Sequence, residues 1–261
     1  MEDLVTVLPL QKDILYGPIN SRRLGKSLGI NLMPINYKLC SFNCVYCHYG
    51  ITDKCTIDLK SFIEDLPGFD DVVKTIIDIM KSRLEFDYIT FSGNGEPTLY
   101  PDFSKLVEEL LKIRDKFRPK TKIALLSNSS GLIYNDIRES ILKIDLPVFK
   151  LDAGTHDTFK EINRPAMGVD YKEIVDLLSK LNGIFIQTVL IDGSPRNTTK
   201  EDIDLYFEKL KVIQPKEVHI YSIDRPVPNS EIKKVPPGKL KKLAEEGQSK
   251  TGIKIKAFYL K

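Results

Sequence analysis

What the chain lacks narrows the field first. Among its 261 residues no apolar run approaches the roughly 20 that a membrane helix needs, so no membrane span is expected. The opening residues MEDLVTVLPLQKD have neither a basic start nor a long apolar stretch; no secretory leader is expected, and the protein is expected in the cytoplasm. Four cysteines are too few for a disulfide scaffold at this length. There is no repeat at fixed period, no low-complexity tract and no dividing linker. One domain over 1–261 is therefore expected, with a core at about 16–226 and a basic extension at about 227–261. At 42% hydrophobic and 29% charged, the composition argues against disorder, collagen and coiled coil.

Net charge is only +3, but it is unevenly spread. Residues 232–261 hold nine Lys against Glu245 and Glu246, which leaves the rest of the chain at −4. A basic tail on an acidic body suits an anionic partner such as RNA or a phosphorylated substrate. The plainer reading, and the one favoured, is a terminal helix and strand kept soluble by surface Lys.

What is present is alternation. Apolar runs rich in β-branched residues fall at 27–33, 87–92, 122–127, 147–151, 184–191 and 217–223. Helical periodicity fills the gaps: Val73, Ile76, Ile77 and Met80 share a face, as do Phe103, Val107, Leu110 and Phe117, and Ile203, Phe207 and Leu210. Pro101 suits a helix's first turn, and Thr198 and Thr199 before Glu201 and Asp202 suit a helix start. Six strands alternating with helices predict an α/β fold: a partial (β/α)6 TIM-like barrel, with a C-terminal helix-strand extension from Lys239 that caps one edge.

Polar residues gather where these strands end: Ser92, Asn94 and Glu96; Ser127 and Asn128; Lys150 and Asp152; Gln187 and Asp192; Tyr221, Ser222 and Asp224. Parallel α/β folds build their sites at that end. After the first of the six runs comes KLCSFNCVYCH, with Cys40, Cys44 and Cys47 spaced C-x3-C-x2-C. A cubane iron–sulfur cluster usually takes four thiolates. Three leave one iron open, and an open position marks a catalytic metal centre. Zinc held by these three with Cys55 or His48 is the competing reading; unrelated buried cysteines are a third.

A second motif, FSGNGEPT, follows the second run. It fits a dinucleotide fingerprint poorly, since Thr98 replaces the third glycine and Glu96 would repel a pyrophosphate. Gly93 and Gly95 suit close backbone approach to a ligand, and Glu96 suits a charge-assisted bond from an ammonium group. An ordinary glycine-rich turn is the plainer alternative.

With Cys40, Cys44, Tyr46 and Cys47 in the pattern C-x3-C-x-φ-C, the chain resembles the radical S-adenosylmethionine superfamily. The resemblance implies an oxygen-sensitive enzyme with one [4Fe–4S] cluster on Cys40, Cys44 and Cys47. The open iron would chelate S-adenosylmethionine, and one-electron reduction would release a 5′-deoxyadenosyl radical that abstracts hydrogen from substrate. It further implies Tyr46 beside the adenine and Gly93, Gly95 and Glu96 at the methionyl amino group. Ser127 and Asn128 would meet the ribose or the methionyl carboxylate, and Asp152 the ribose. Lys150 shares a strand face with Asp152 by alternation and could neutralise it, bind a substrate anion or form a Schiff base. A reduced flavodoxin or ferredoxin-type electron donor is expected.

Residues 16–34, 150–165 and 220–226 resemble the wyosine-synthase-like subgroup, whose named members act on a tRNA guanosine derivative and carry a second cluster. Only Cys55 is left over here, too little for a second cubane. Arg22, Arg23, Arg164 and Arg225 either line an anionic path or pair with scaffold carboxylates. The expected function is thus a radical enzyme acting on an RNA base or small metabolite. A radical activase or maturase of a protein substrate is an alternative, and a zinc-stabilised RNA-binding module is another.

Overall fold

A computed structural model describes residues 7–260. The first six residues of the stretch read for a leader, and Lys261 of the basic extension, lie outside the described residues. The main sheet has eight strands in sequence order: β1 (Leu15–Ser21), β2 (Gly25–Ile30), β3 (Tyr88–Phe91), β4 (Lys122–Ser127), β5 (Leu146–Lys150), β6 (Phe185–Val189), β7 (Glu217–Tyr221) and β8 (Ile255–Phe258). Only β1 runs antiparallel to its neighbour; β2 to β8 are parallel. The crossovers carry α1 (Phe69–Lys81), α2 (Phe103–Phe117), α3 (Asn135–Ile141), α4 (His156–Asn163), α5 (Tyr171–Ser179), α6 (Lys200–Ile213) and α7 (Pro237–Thr251). Parallel strands need such crossovers, so the element order alone dictates the sheet order. The result is the expected partial TIM-like barrel, with α7 and β8 extending the edge beside β7.

Alternation along each strand divides the sheet into two faces. Ile89, Phe91, Ile123, Leu125, Phe149, Ile186, Val218 and Ile220 are buried against the helices. Phe91 meets Phe103 of α2 with ring centroids 5.0 Å apart. The intervening residues, among them Lys150, Gln187 and Tyr221, face the concave side.

Thr199 caps α6 as expected, accepting from the Asp202 amide. Three expectations need correction. β1 was not foreseen, because Gly17 and Pro18 interrupt its apolar pattern and its register shifts between Tyr16 and Ile19. The run 184–191 is two elements, β6 and a short strand Ile191–Gly193 that pairs with Ile232–Lys234. Pro101 precedes α2, whose N-cap is Asp102, rather than opening it. In α1 the fully buried stripe is Val72, Ile76 and Met80, while Val73 and Ile77 pack at its margin.

Candidate functional site

The cysteine loop leaves the C-terminal end of β2. Cys40, Cys44 and Cys47 line a cavity with an empty volume of about 610 Å³, together with Tyr46, the backbone of 93–96, Ser127, Asn128 and Lys150. The ends of β3, β4 and β5 thus converge on the three thiols. Lys38 lines the same cavity; it is 3% exposed and donates to the Gly50 carbonyl at 2.8 Å. Burial alone would lower its pKa, yet the thiols of Cys47, Cys40 and Cys44 raise it, so it stays an ammonium. Burial pushes the Cys40 thiol up and the Cys44 thiol up to about 11, the latter helped by Asp152 and Cys47. Asn128 Nδ2 lies 3.6 Å from Cys40 Sγ, and Asn163 Nδ2 lies 3.4 Å from Cys44 Sγ.

Glu96 is 2% exposed and bridges two strand ends. Its Oε1 accepts from Thr98 N at 3.1 Å, Thr98 Oγ1 at 2.5 Å and Ser127 Oγ at 2.8 Å; its Oε2 accepts from Asn128 N at 2.5 Å. Burial raises its pKa, and these donors oppose that. Oε2 has only this one bond and room for another donor. Gly95 is required by close approach: a Cβ there would lie 1.8 Å from the Leu39 carbonyl. Gly93 has φ +126°, and a Cβ would lie 2.5 Å from Asn31 Oδ1. Both glycines therefore dock the cysteine loop onto the β3 end while their backbone lines the cavity.

Asp152 stands behind the cavity wall, 2% exposed. Its Oδ1 accepts from Val189 N at 2.7 Å, and its Oδ2 accepts from Asn163 Nδ2 at 2.8 Å and from the Tyr46 hydroxyl. Each oxygen thus accepts from protein groups, and the Tyr46 hydroxyl links Asp152 to the cavity wall. Lys150 Nζ sits 3.8 Å from Asp152 Oδ1, 3.2 Å from the Tyr221 hydroxyl and 4.7 Å from the Tyr46 ring centre. Burial opposes its charge, but Asp152 and Tyr221 raise its pKa overall. That favours an ammonium over a Schiff-base amine.

A second cavity of about 890 Å³ shares this wall and reaches into the half-barrel, lined by Tyr16, Tyr49, Tyr221, His48, Lys150 and Gln187, among others. The His48 Nδ1 atom is buried there with no partner among the described residues. Sequence reasoning did not find Lys38, Tyr16 or Asn163, which no local spacing marks. Of the arginines, Arg22 pairs with Asp224 at 2.7 Å, and Arg23 lies 4.8 Å over the Tyr221 ring. The basic extension is partly paired: Lys234 pairs with Asp224, Lys239 with Asp192, Lys250 with Asp204, and Lys254 and Lys256 with Glu217.

Residues 37–206 match the sequence model of the Radical SAM superfamily. The chain belongs to the radical SAM superfamily. It is therefore an enzyme of the class that uses a [4Fe–4S] cluster and S-adenosylmethionine. The site fits that cluster: three thiols, the Asn128 amide and a buried ammonium line one cavity, and the Asn163 amide meets Cys44 from behind. The family match sets aside the zinc-stabilised module.

The chain is 33% identical to the UPF0026 protein slr1464 of Synechocystis sp. over 82% of its own length and 77% of that protein, and so belongs to that group too. It is 37% identical to the UPF0026 protein MJ1312 of Methanocaldococcus jannaschii, covering 84% of this chain and 66% of that one. It is also 30% identical to a protein named GTPase Obg of Brachyspira hyodysenteriae, over 92% of this chain but only 34% of that protein. The chain thus spans from about a third to three quarters of these relatives. Among solved structures, TYW1 with a lysine–pyruvate adduct bound aligns with TM-score 0.57 at 18% identity, over 87% of this chain and 75% of that one. A radical SAM methyltransferase from Sphaerobacter thermophilus aligns with TM-score 0.64 at 12% identity, over 89% and 66%. These likenesses show the fold. Among the described residues no helix is long and apolar enough to cross a membrane.

Proposed function

We propose that this radical SAM enzyme acts on a compact anionic or flat substrate, a small metabolite or an RNA base, held in the concave face of the half-barrel. Cys40, Cys44 and Cys47 hold the cluster, and Lys38 balances the charge of their sulfurs. Glu96 Oε2 receives the methionyl ammonium, and the backbone at Gly93 and Gly95 flanks it. Ser127 and Asn128 fix Glu96 from the β4 end, and Asn128 also faces the ligand. Tyr46 supplies the aromatic wall, and Asp152 orients it from behind. When bound, the cluster and S-adenosylmethionine supply a carbon radical able to abstract hydrogen. Lys150 and Tyr221 offer a cation and a hydroxyl at the boundary between the two cavities.

The observation that carries this reading is the continuity of the two cavities. One holds the thiols and Glu96, the other is walled by tyrosines and Lys150, and Tyr46, Cys47 and Lys150 belong to both. The ion pairs of the basic extension favour recognition inside the cavity over recognition of a long RNA backbone. Backbone binding weakens steeply with salt, whereas cavity recognition does not. A reduced flavodoxin or ferredoxin-type protein is the proposed electron source.

The test is anaerobic reconstitution with iron and sulfide, followed by addition of S-adenosylmethionine. About four irons per chain and a changed electron paramagnetic resonance signal are expected, with deoxyadenosine formed under reduction. An unchanged signal on addition would overturn the reading.

A further inference from the structure

The cysteine loop is held from far down the chain. The end of α4 and the residues just after it run along the loop as a strap: Val45 N donates to the Ile162 carbonyl at 2.9 Å, Asn43 N to the Asn163 carbonyl at 3.0 Å, and Ala166 N to the Ser41 carbonyl at 2.8 Å. Phe42 and Pro165 form an antiparallel bridge. Arg164, in the left-handed region at φ 44°, ends α4 and turns the chain onto the loop.

At the centre of this strap Asn163 is 1% exposed. Its Nδ2 lies 2.8 Å from Asp152 Oδ2, 3.2 Å from the Tyr46 hydroxyl oxygen and 3.4 Å from Cys44 Sγ. An amide has two N–H groups. Asp152 takes one, and the other lies between Tyr46 and Cys44. The Tyr46 hydroxyl spends its own proton on Asp152, so it competes only as a neutral acceptor. A thiolate is a charged acceptor and draws the stronger bond. Asn163 Oδ1 has no partner among the described residues. Leaving a buried carbonyl unpaired is costly. The reversed amide would set that carbonyl against the Asp152 carboxylate and the sulfur. The acceptors therefore fix the amide with its N–H toward Cys44.

We propose that Asn163 is a positioning residue of the cluster site, directing an N–H···S bond at Cys44 that sets the reduction potential. Asn128 makes the corresponding approach to Cys40. The proposal rests on Cys44 being a cluster ligand. Hydrogen bonds to the sulfurs are among the levers that tune such clusters, because they stabilise the more electron-rich form.

The experiment uses the full chain, reconstituted anaerobically with iron and sulfide, and a potentiometric titration followed by paramagnetic resonance. Asn163→Ala is expected to shift the midpoint negative by about 59 mV, a tenfold change in the one-electron equilibrium. Pro165→Ala, which disturbs the strap but keeps the amide, is expected to leave the potential unchanged. Equal shifts in both variants, or no shift in Asn163→Ala, overturn the proposal. Should Asn163→Ala take up no cluster, Asn128→Ala protein labelled with ¹⁵N at asparagine side chains, which lacks the amide beside Cys40, decides instead: a coupling of the Asn163 nitrogen to the cluster is expected, and its absence overturns the inference. Wild-type protein that takes up no iron fails the assignment of the cysteines themselves, a result separate from these.

Discussion

The two faces of one sheet are built from alternate residues of the same strands, yet they differ in nearly every physical respect. Toward the helices, Ile89, Phe91, Leu125, Phe149 and Ile186 are fully buried among apolar neighbours. Toward the concave side, Ser27 and Thr90 share a hydrogen bond of 2.7 Å, and beyond them come Lys150, Gln187 and Tyr221 around open space. The outer face carries the folding energy, which leaves the inner face free to hold polar groups and a cavity. Strand register then does the positioning. Lys150 is paired with Gln187, and Gln187 with His219, so a row of polar side chains crosses three strands.

This division can be broken in four ways, in descending order of effect. Cys44→Ala on the loop above the inner face should abolish cluster uptake and deoxyadenosine formation, read as iron per chain and product yield, while the apoprotein unfolds near the wild-type midpoint. Phe91→Ala on the outer face should cost about 3–5 kcal/mol in denaturant unfolding, with cleavage per folded molecule retained. A comparable loss of cleavage in that variant would erase the distinction between the faces. Glu96→Gln should keep the cluster and weaken S-adenosylmethionine binding by roughly 10- to 100-fold, the worth of a charge-assisted bond of about 1.5–3 kcal/mol, measured by calorimetry. Glu96→Ala should in addition lower stability, because Thr98, Ser127 and Asn128 lose their acceptor.

The smallest effect is one of pH. Burial would raise the Glu217 carboxyl, but bonds from Lys256, Lys254 and His219 bring it down to about 2 from 4.5. A depressed carboxyl contributes stability above its unfolded value and loses it as pH falls toward the folded one. The thermal midpoint should therefore drop between about pH 4.5 and 2, and Glu217→Gln should flatten that part of the curve. An identical acid slope in the variant would mean that Glu217 contributes nothing to it.

Much of this was legible from residue order. Apolar runs alternating with helical patterns revealed β2 to β7, because parallel strands buried on their outer face keep an apolar residue at every second position. Three cysteines within eight residues revealed the loop, since their spacing is local. Partnerships across the fold were not legible. Glu96 reads as a free carboxylate in FSGNGEPT, but four donors from its own turn and from the β4 end meet it. Asp152 reads as a strand-end polar residue, and its bonds to Tyr46, Asn163 and Val189 could not be read from the strand. The lysines of 232–261 read as a positive tail, yet acids from α6, β7 and neighbouring loops pair with five of the nine. In each case the deciding partner lies on another segment, where composition and periodicity carry no information.

The strap also orders events during synthesis. Asn163 is made 119 residues after Cys44. At roughly 5–20 residues per second, the thiols wait on the order of ten seconds before the segment that clamps them leaves the ribosome. Iron delivered to the nascent chain meets a loose, unclamped loop, so assembly of a stable cluster belongs to the time after α4 has folded.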